Sequence, residues 1–211
     1  MTLEPVLAII EISAIVVFAI SGLIEAVRKR MDVVGVFAVA FVTAFGGGTL
    51  RDVLLDRRPL FWVQHQEYVW LVLVLTLVGL PLLRVFRHQC VDRVMQATDA
   101  LGLGLFAVSG ASLALAAGMP LIVVALMGVI TGVFGGVLRD VLCNEIPVVF
   151  HDHRPYALCA FCGCWVFIGL DFVGAAAWQA LLAGAGIAAG LRLLVLALNW
   201  RIPSWPRSGE N

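Results

Sequence analysis

The segment Gly47-Gly48-Thr49-Leu50-Arg51-Asp52-Val53-Leu54 returns 88 positions later as Gly135-Gly136-Val137-Leu138-Arg139-Asp140-Val141-Leu142. The same shift, without a gap, sets Phe18-Ala19-Ile20-Ser21-Gly22 against Phe106-Ala107-Val108-Ser109-Gly110. It also sets Thr43, Pro59, His65 and Tyr68 against Thr131, Pro147, His153 and Tyr156. Two unrelated apolar segments share leucine, valine and alanine by chance. They do not share Arg-Asp, proline, histidine and tyrosine in register, so the chain is one structural unit used twice.

The solvent of that unit is set by where charge is missing. No charged residue lies between Asp32 and Arg51, between Glu67 and Arg84, between Asp99 and Arg139, or between Asp171 and Arg192. A spanning helix needs roughly 20 apolar residues. With 62% hydrophobic and only 13% charged residues, against about 25% charged in soluble domains, the chain reads as an all-α polytopic membrane protein. Seven spanning helices are expected, over 5–27, 32–55, 67–86, 97–117, 120–144, 155–172 and 175–199. Gly118-Met119-Pro120 divides the longest uncharged run, because proline removes a donor and restricts the residue before it. The first apolar segment follows Glu4 with no basic region ahead of it, and reads as a spanning helix rather than a cleavable leader.

Each repeat then holds an odd number of spans, three, so the second copy enters the membrane from the opposite side. This is an inverted repeat about an axis in the membrane plane, an architecture common in transport proteins. The expected division is 1–88 for the first repeat, 89–172 for the second, and 173–211 for an unpaired seventh helix and tail. Loop charge sets the orientation. Arg28, Lys29, Arg30, Arg84, Arg87, Arg93, Arg154, Arg201 and Arg207 fall on one side, and only Arg57 and Arg58 on the other. By the positive-inside rule the N-terminus is outside and the C-terminus inside, in a plasma (inner) membrane. Trp62, Trp70, Trp200 and Trp205 suit the interfacial belt.

Net charge is zero and no basic stripe is interleaved with aromatics, so nucleic acid is not an expected partner. Outside the membrane there is no Ser-His-Asp set, phosphate loop or carboxylate pair, and no enzyme activity is expected. Cys90, Cys143, Cys159, Cys162 and Cys164 are odd in number and read as small packing residues, not as a disulfide framework. His65, His151 and His153 read as loop residues; neither a metal nor a cofactor is expected.

Chemistry concentrates where polar groups meet apolar helices. Gly46, Gly47 and Gly48 in the second helix, and Gly135 and Gly136 in the fifth, each cost about 1 kcal/mol relative to alanine. They predict either a bend lining a cavity, with carbonyls offered to a cation, or close helix packing through small residues. Charges at such depth face protein or water. Helix direction puts Glu11 and Arg51 at one depth and Asp99 and Arg139 at the other, so two symmetric interhelical contacts are expected, shared with Asp52 and Asp140. Ser21, Ser109, Thr43 and Thr131 are candidate pore hydroxyls, or else bond their own helix carbonyls.

On these motifs, Gly-Gly-x-x-Arg-Asp twice, Phe-Ala-x-Ser-Gly twice and a final unpaired helix, nearly the whole chain resembles the prokaryotic trimeric intracellular cation (TRIC) channel family, also labelled glycine-transporter-like. The resemblance implies a homotrimer in the lipid membrane with one pore per subunit, permeated by potassium and sodium and shaped by kinked second and fifth helices. No cofactor is implied beyond permeating potassium or sodium ions, and the partners implied are the other subunits, membrane lipids and monovalent cations. The alternative is a secondary transporter of a small solute such as glycine. The Lys-Glu-Val lipid motif of animal members is absent, and phosphoinositide regulation is not expected.

Overall fold

The computed structural model describes residues 3–83, 88–151 and 154–201. Arg84, Arg87, His153, Trp205 and Arg207, used above for orientation and loop roles, lie outside the described residues. The elements are α1 (Leu3–Arg28), α2 (Val33–Leu54), α3 (Phe61–Gln64), α4 (Gln66–Leu83), α5 (His88–Ala116), α6 (Leu121–Leu142), α7 (Val148–His151), α8 (Ala157–Phe172) and α9 (Ala177–Ala197). Six are long and apolar enough to cross a membrane, and α8 is a shorter apolar helix. The seven expected spans are therefore α1, α2, α4, α5, α6, α8 and α9.

Two differences from the sequence reading have simple causes. Helix α5 begins at His88 and not near 97, because its polar first turns project beyond the apolar region that defines a span. The short helices α3 and α7 were read as loop, since four residues carry no periodicity.

Local chemistry repeats with the same shift. Arg30 and Gly118, which follow α1 and α5, have φ of 56° and 72°. Asp56 and Asn144, which follow α2 and α6, have φ of 51° and 58°. Asparagine, aspartate and glycine tolerate the left-handed region best. It lets Arg57 N–H bond Asp52 O (2.8 Å) and Glu145 N–H bond Asp140 O (2.9 Å), closing the last carbonyls of each helix.

The halves meet through equivalent elements, α1 on α5 and α2 on α6. Phe18 and Phe106, one repeat apart, meet in a tilted contact with ring centroids 5.4 Å apart, where the halves face each other. Helix α9 packs on α5 and α8. Small residues set that approach: a Cβ on Gly104 would lie 2.5 Å from Ala185 O, and one on Gly163 would lie 2.6 Å from Gly184 O. Cys143, Cys159 and Cys164 are buried free thiols in this packing. Helix α4 turns Trp70, Val74, Leu77, Val78 and Leu82 outward, as expected where the solvent is lipid.

Three contacts fix which ends share a face. Arg28 at the end of α1 meets Asp92 near the start of α5 (3.4 Å). Lys29 pairs with Glu145 beyond α6. Arg154 donates to Asn199 beyond α9 (2.8 Å). This C-terminal face carries the ends of α1, α6 and α9; the N-terminal face carries the end of α2 and the start of α1.

Candidate functional site

Near the N-terminal face, Arg51 is fully buried. Its Nη1 donates to Glu11 Oε1 of α1 at 2.8 Å and to Ser109 Oγ of α5 at 3.1 Å. Its Nε donates to Asp52 Oδ1 at 2.9 Å, and Ser109 Oγ donates to Glu11 Oε1 at 3.0 Å. Near the C-terminal face the arrangement recurs with exchanged partners. Arg139 Nη1 donates to Asp99 Oδ1 at 2.7 Å and to Ser21 Oγ at 2.6 Å, and its Nε donates to Asp140 Oδ1 at 2.9 Å. Each arginine is thus held by one carboxylate across the helix interface, one on its own helix, and a serine from the other half.

The aspartates have a second task. Asp52 Oδ2 accepts the N–H of Phe61, first residue of α3, at 2.8 Å. Asp140 Oδ2 accepts that of Val148, first residue of α7, at 3.0 Å. Buried charge is tolerated only when paired and hydrogen-bonded, and here both carboxylate oxygens are used. Each short helix is anchored to its own cluster in this way.

The expected pairs Glu11–Arg51 and Asp99–Arg139 are both formed, at 2.8 Å and 2.7 Å. The serines do not bond their own helices: they bridge the halves. The threonines do the reverse. Thr43 Oγ1 donates to Val39 O (2.6 Å) and Thr131 Oγ1 to Met127 O (2.7 Å), so neither joins a cluster.

The glycines act by close approach. Both α2 and α6 run as α-helix through Gly46–Gly48 and Gly135–Gly136, and no residue there has positive φ. A Cβ on Gly47 would sit 2.0 Å from Thr131 O, and one on Gly135 would sit 2.4 Å from Thr43 O. Two backbones cross there with no room for a side chain. Of the two readings of these glycines, the packing one describes Gly47 and Gly135, where no broken turn frees a carbonyl.

The two clusters differ in access. Asp99 and Arg139 line a cavity of about 350 Å³ together with Arg28, Asp92, Val148, Arg154 and Arg192. Arg51 instead lies under the Phe61 ring, 5.1 Å from its centroid. Arg192 and Tyr156 were not singled out as site residues from the sequence. The Arg192 guanidinium sits 4.6 Å from the Tyr156 ring centroid. The signal was a lone charge in the apolar run of α9. At the surface of the C-terminal face, the hydrogen bond accepted by Glu145 raises the Lys29 ammonium above its ordinary 10.5. Among the described residues no group of three His, Cys, Asp or Glu could hold a metal ion.

The sequence profile of a family described as glycine transporter matches this chain twice, over residues 8–84 and 96–172. The chain is 34% identical over 196 residues to a UPF0126 membrane protein of Vibrio cholerae, across 93% of this chain and 80% of that one. It is 38% identical over 154 residues to the UPF0126 inner membrane protein YadS of Escherichia coli, across 73% and 74%. Among solved structures, the TRIC trimeric intracellular cation channel orthologue from Rhodobacter sphaeroides is similar with a TM-score of 0.86 at 35% identity, over 92% of this chain and 99% of that one. A prokaryotic TRIC channel in 0.5 M KCl is similar with a TM-score of 0.87 at 28% identity, over 94% and 100%.

Proposed function

On the premise that this chain belongs to the TRIC family of multi-pass membrane proteins, we propose that it is a channel for monovalent cations, potassium and sodium. It assembles as a homotrimer with one path per subunit, running between α1, α2, α5 and α6. The solved structures supporting this reading are described as trimeric intracellular cation channels.

One observation carries the reading on this chain itself. An arginine in a path would repel cations, yet each arginine here faces two carboxylates, Glu11 and Asp52 for Arg51, and Asp99 and Asp140 for Arg139. Each arginine is therefore offset by the carboxylates it faces and contributes little net field to the path, even with Arg57 4.0 Å from Asp52 and Arg28, Arg154 and Arg192 around the cavity at Asp99. In a low-dielectric wall that offset removes the barrier an unpaired arginine would raise against a cation. Separation of the Asp99–Arg139 pair changes that local field and supplies a gate. The orientation we propose places the N-terminus outside, from Arg28, Lys29, Arg30 and Arg154 on the C-terminal face.

The test is single-channel recording of the purified protein in a planar bilayer under a potassium gradient. Unitary currents reversing near the potassium potential are the expected result. Silence accompanied by saturable glycine uptake into proteoliposomes refutes the channel and supports a solute transporter, which the same inverted architecture also serves.

A further inference from the structure

We infer that Phe61 is the barrier of the path on the N-terminal face. The inference takes the existence of a path from the channel reading above, and the place of its seal from geometry. Phe61 opens α3, which is tied down at two points: its own N–H on Asp52 Oδ2 at 2.8 Å, and Trp62 Nε1 on Thr49 Oγ1 at 3.0 Å. Its ring lies over the Arg51 guanidinium, 5.1 Å from centroid to Cζ. The edge of the ring rests on Gly48, where a Cβ would lie only 2.5 Å from the phenyl Cε1. Phe45 flanks it at 5.8 Å between centroids. An apolar ring pressed onto the charged lining excludes water, and a hydrated ion does not pass such a constriction.

The other half of the molecule shows the same lid without the ring. Helix α7 begins with Val148, whose N–H is anchored on Asp140 Oδ2 at 3.0 Å, as that of Phe61 is on Asp52. Val148 lines the wall of the cavity of about 350 Å³ that reaches Asp99 and Arg139. Valine is too short to cross its cluster, whereas phenylalanine crosses the equivalent one. The cavity on the C-terminal face thus reaches Arg139, whereas the Phe61 ring covers the fully buried Arg51. Opening requires the ring to leave Arg51, and an apolar cavity of about 340 Å³ beside Phe45, Thr49 and Trp62 lies on that flank of the lid.

The test uses the full-length protein in vesicles, with Ser109→Cys as a reporter beneath the Phe61 ring. A cationic, membrane-impermeant thiosulfonate is applied to each face in turn, and peptide mass spectrometry reads modification at position 109 alone. Phe61→Ala is expected to speed modification from the N-terminal face about tenfold or more, the size of a desolvated cation–ring contact, with the rate from the other face unchanged. Gly48→Ala keeps the phenyl ring and displaces it, so it gives the same result if Phe61→Ala does not fold. The reciprocal Val148→Phe is expected to slow modification of Ser21→Cys from the C-terminal face. Equal rates from the N-terminal face with and without the ring overturn the barrier. These rates do not depend on current: absence of current with saturable glycine uptake refutes the channel and leaves the labelling to decide the seal.

Discussion

Replacing Gly47 with alanine tests the crossing of α2 and α6, on which both clusters depend. The new Cβ would lie 2.0 Å from Thr131 O and 3.1 Å from Thr131 C, where a carbon–oxygen contact needs about 3.3 Å. The obstacle is the backbone of α6, which cannot rotate aside, so the helices must part by roughly 1 Å. Overpacking of this kind costs about 3 kcal/mol at the upper end of its range. The gain in helix propensity returns about 1 kcal/mol, leaving a net loss of about 2 kcal/mol. Gly186→Ala is the matched control: nothing lies within 4 Å of its added methyl, and it is expected to be neutral or to stabilise by up to about 1 kcal/mol. At about 2–4 °C per kcal/mol for a chain of this size, the two variants should melt roughly 5–10 °C apart in detergent, followed by tryptophan fluorescence. The Gly47→Ala, Gly135→Ala double variant should lose less than the sum, because one opening of the crossing relieves both clashes. Co-melting of Gly47→Ala with Gly186→Ala would falsify the close approach.

Removing one carboxylate should separate selectivity from stability. Asp99→Asn removes one of the two carboxylates that offset Arg139 and is expected to lower the cation-to-anion permeability ratio, read from reversal potentials in a KCl gradient; an unchanged ratio refutes the charge argument. Arg139→Gln removes the cation that Asp99 and Asp140 share, and should change open probability while destabilising by about 3–5 kcal/mol, the cost of leaving buried charge unpaired. Unchanged gating in folded protein rejects the pair as a gate. Ser21→Ala and Ser109→Ala each remove a bridge between the halves, and each should cost about 1.5–3 kcal/mol, as for hydrogen bonds to charged groups, in the same melting assay. The Lys29 ammonium is raised above 10.5 by Glu145. Its stabilising contribution is therefore complete at neutral pH and lost only as pH rises through the shifted value. The difference in melting between wild type and Lys29→Ala should hold from about pH 6 to 9 and decline only as pH rises past about 10.5 toward the shifted value.

The spans and their inverted pairing were legible because they rest on patterns tens of residues long. A gap in charge and an ungapped repeat survive any uncertainty in helix ends. The depth argument worked for the same reason, bringing Glu11 to Arg51 and Asp99 to Arg139 from helix direction alone. What sequence reasoning missed was set by three-dimensional neighbours. Ser21 and Thr43 look alike as hydroxyls in apolar helices, yet Ser21 faces an arginine of the other half and Thr43 its own carbonyl. Only the crossing geometry separates them. The glycines left two readings open because propensity measures what a helix loses by containing glycine, and is blind to a backbone carbonyl 2.0 Å from where a methyl would be. Short α3 and α7 carry no period, though Pro59 and Pro147 in the repeat mark the segments that lead into them.

The two lids also bear on whether the protein is a channel or an alternating carrier. Exact symmetry would make the two faces equivalent, and a carrier of inverted repeats works by exchanging their conformations, so that one mouth closes as the other opens. In this chain the asymmetry is written into residues, phenylalanine at the head of α3 and valine at the head of α7, and cannot be exchanged by a conformational swap. A path with a chemically fixed valve at one end and an open cavity at the other conducts whenever the valve opens. Opening the N-terminal lid with Phe61→Ala should therefore leave modification of Ser21→Cys from the C-terminal face unchanged. A compensating loss of access there would show that the mouths are coupled, and would move the protein from channel to carrier.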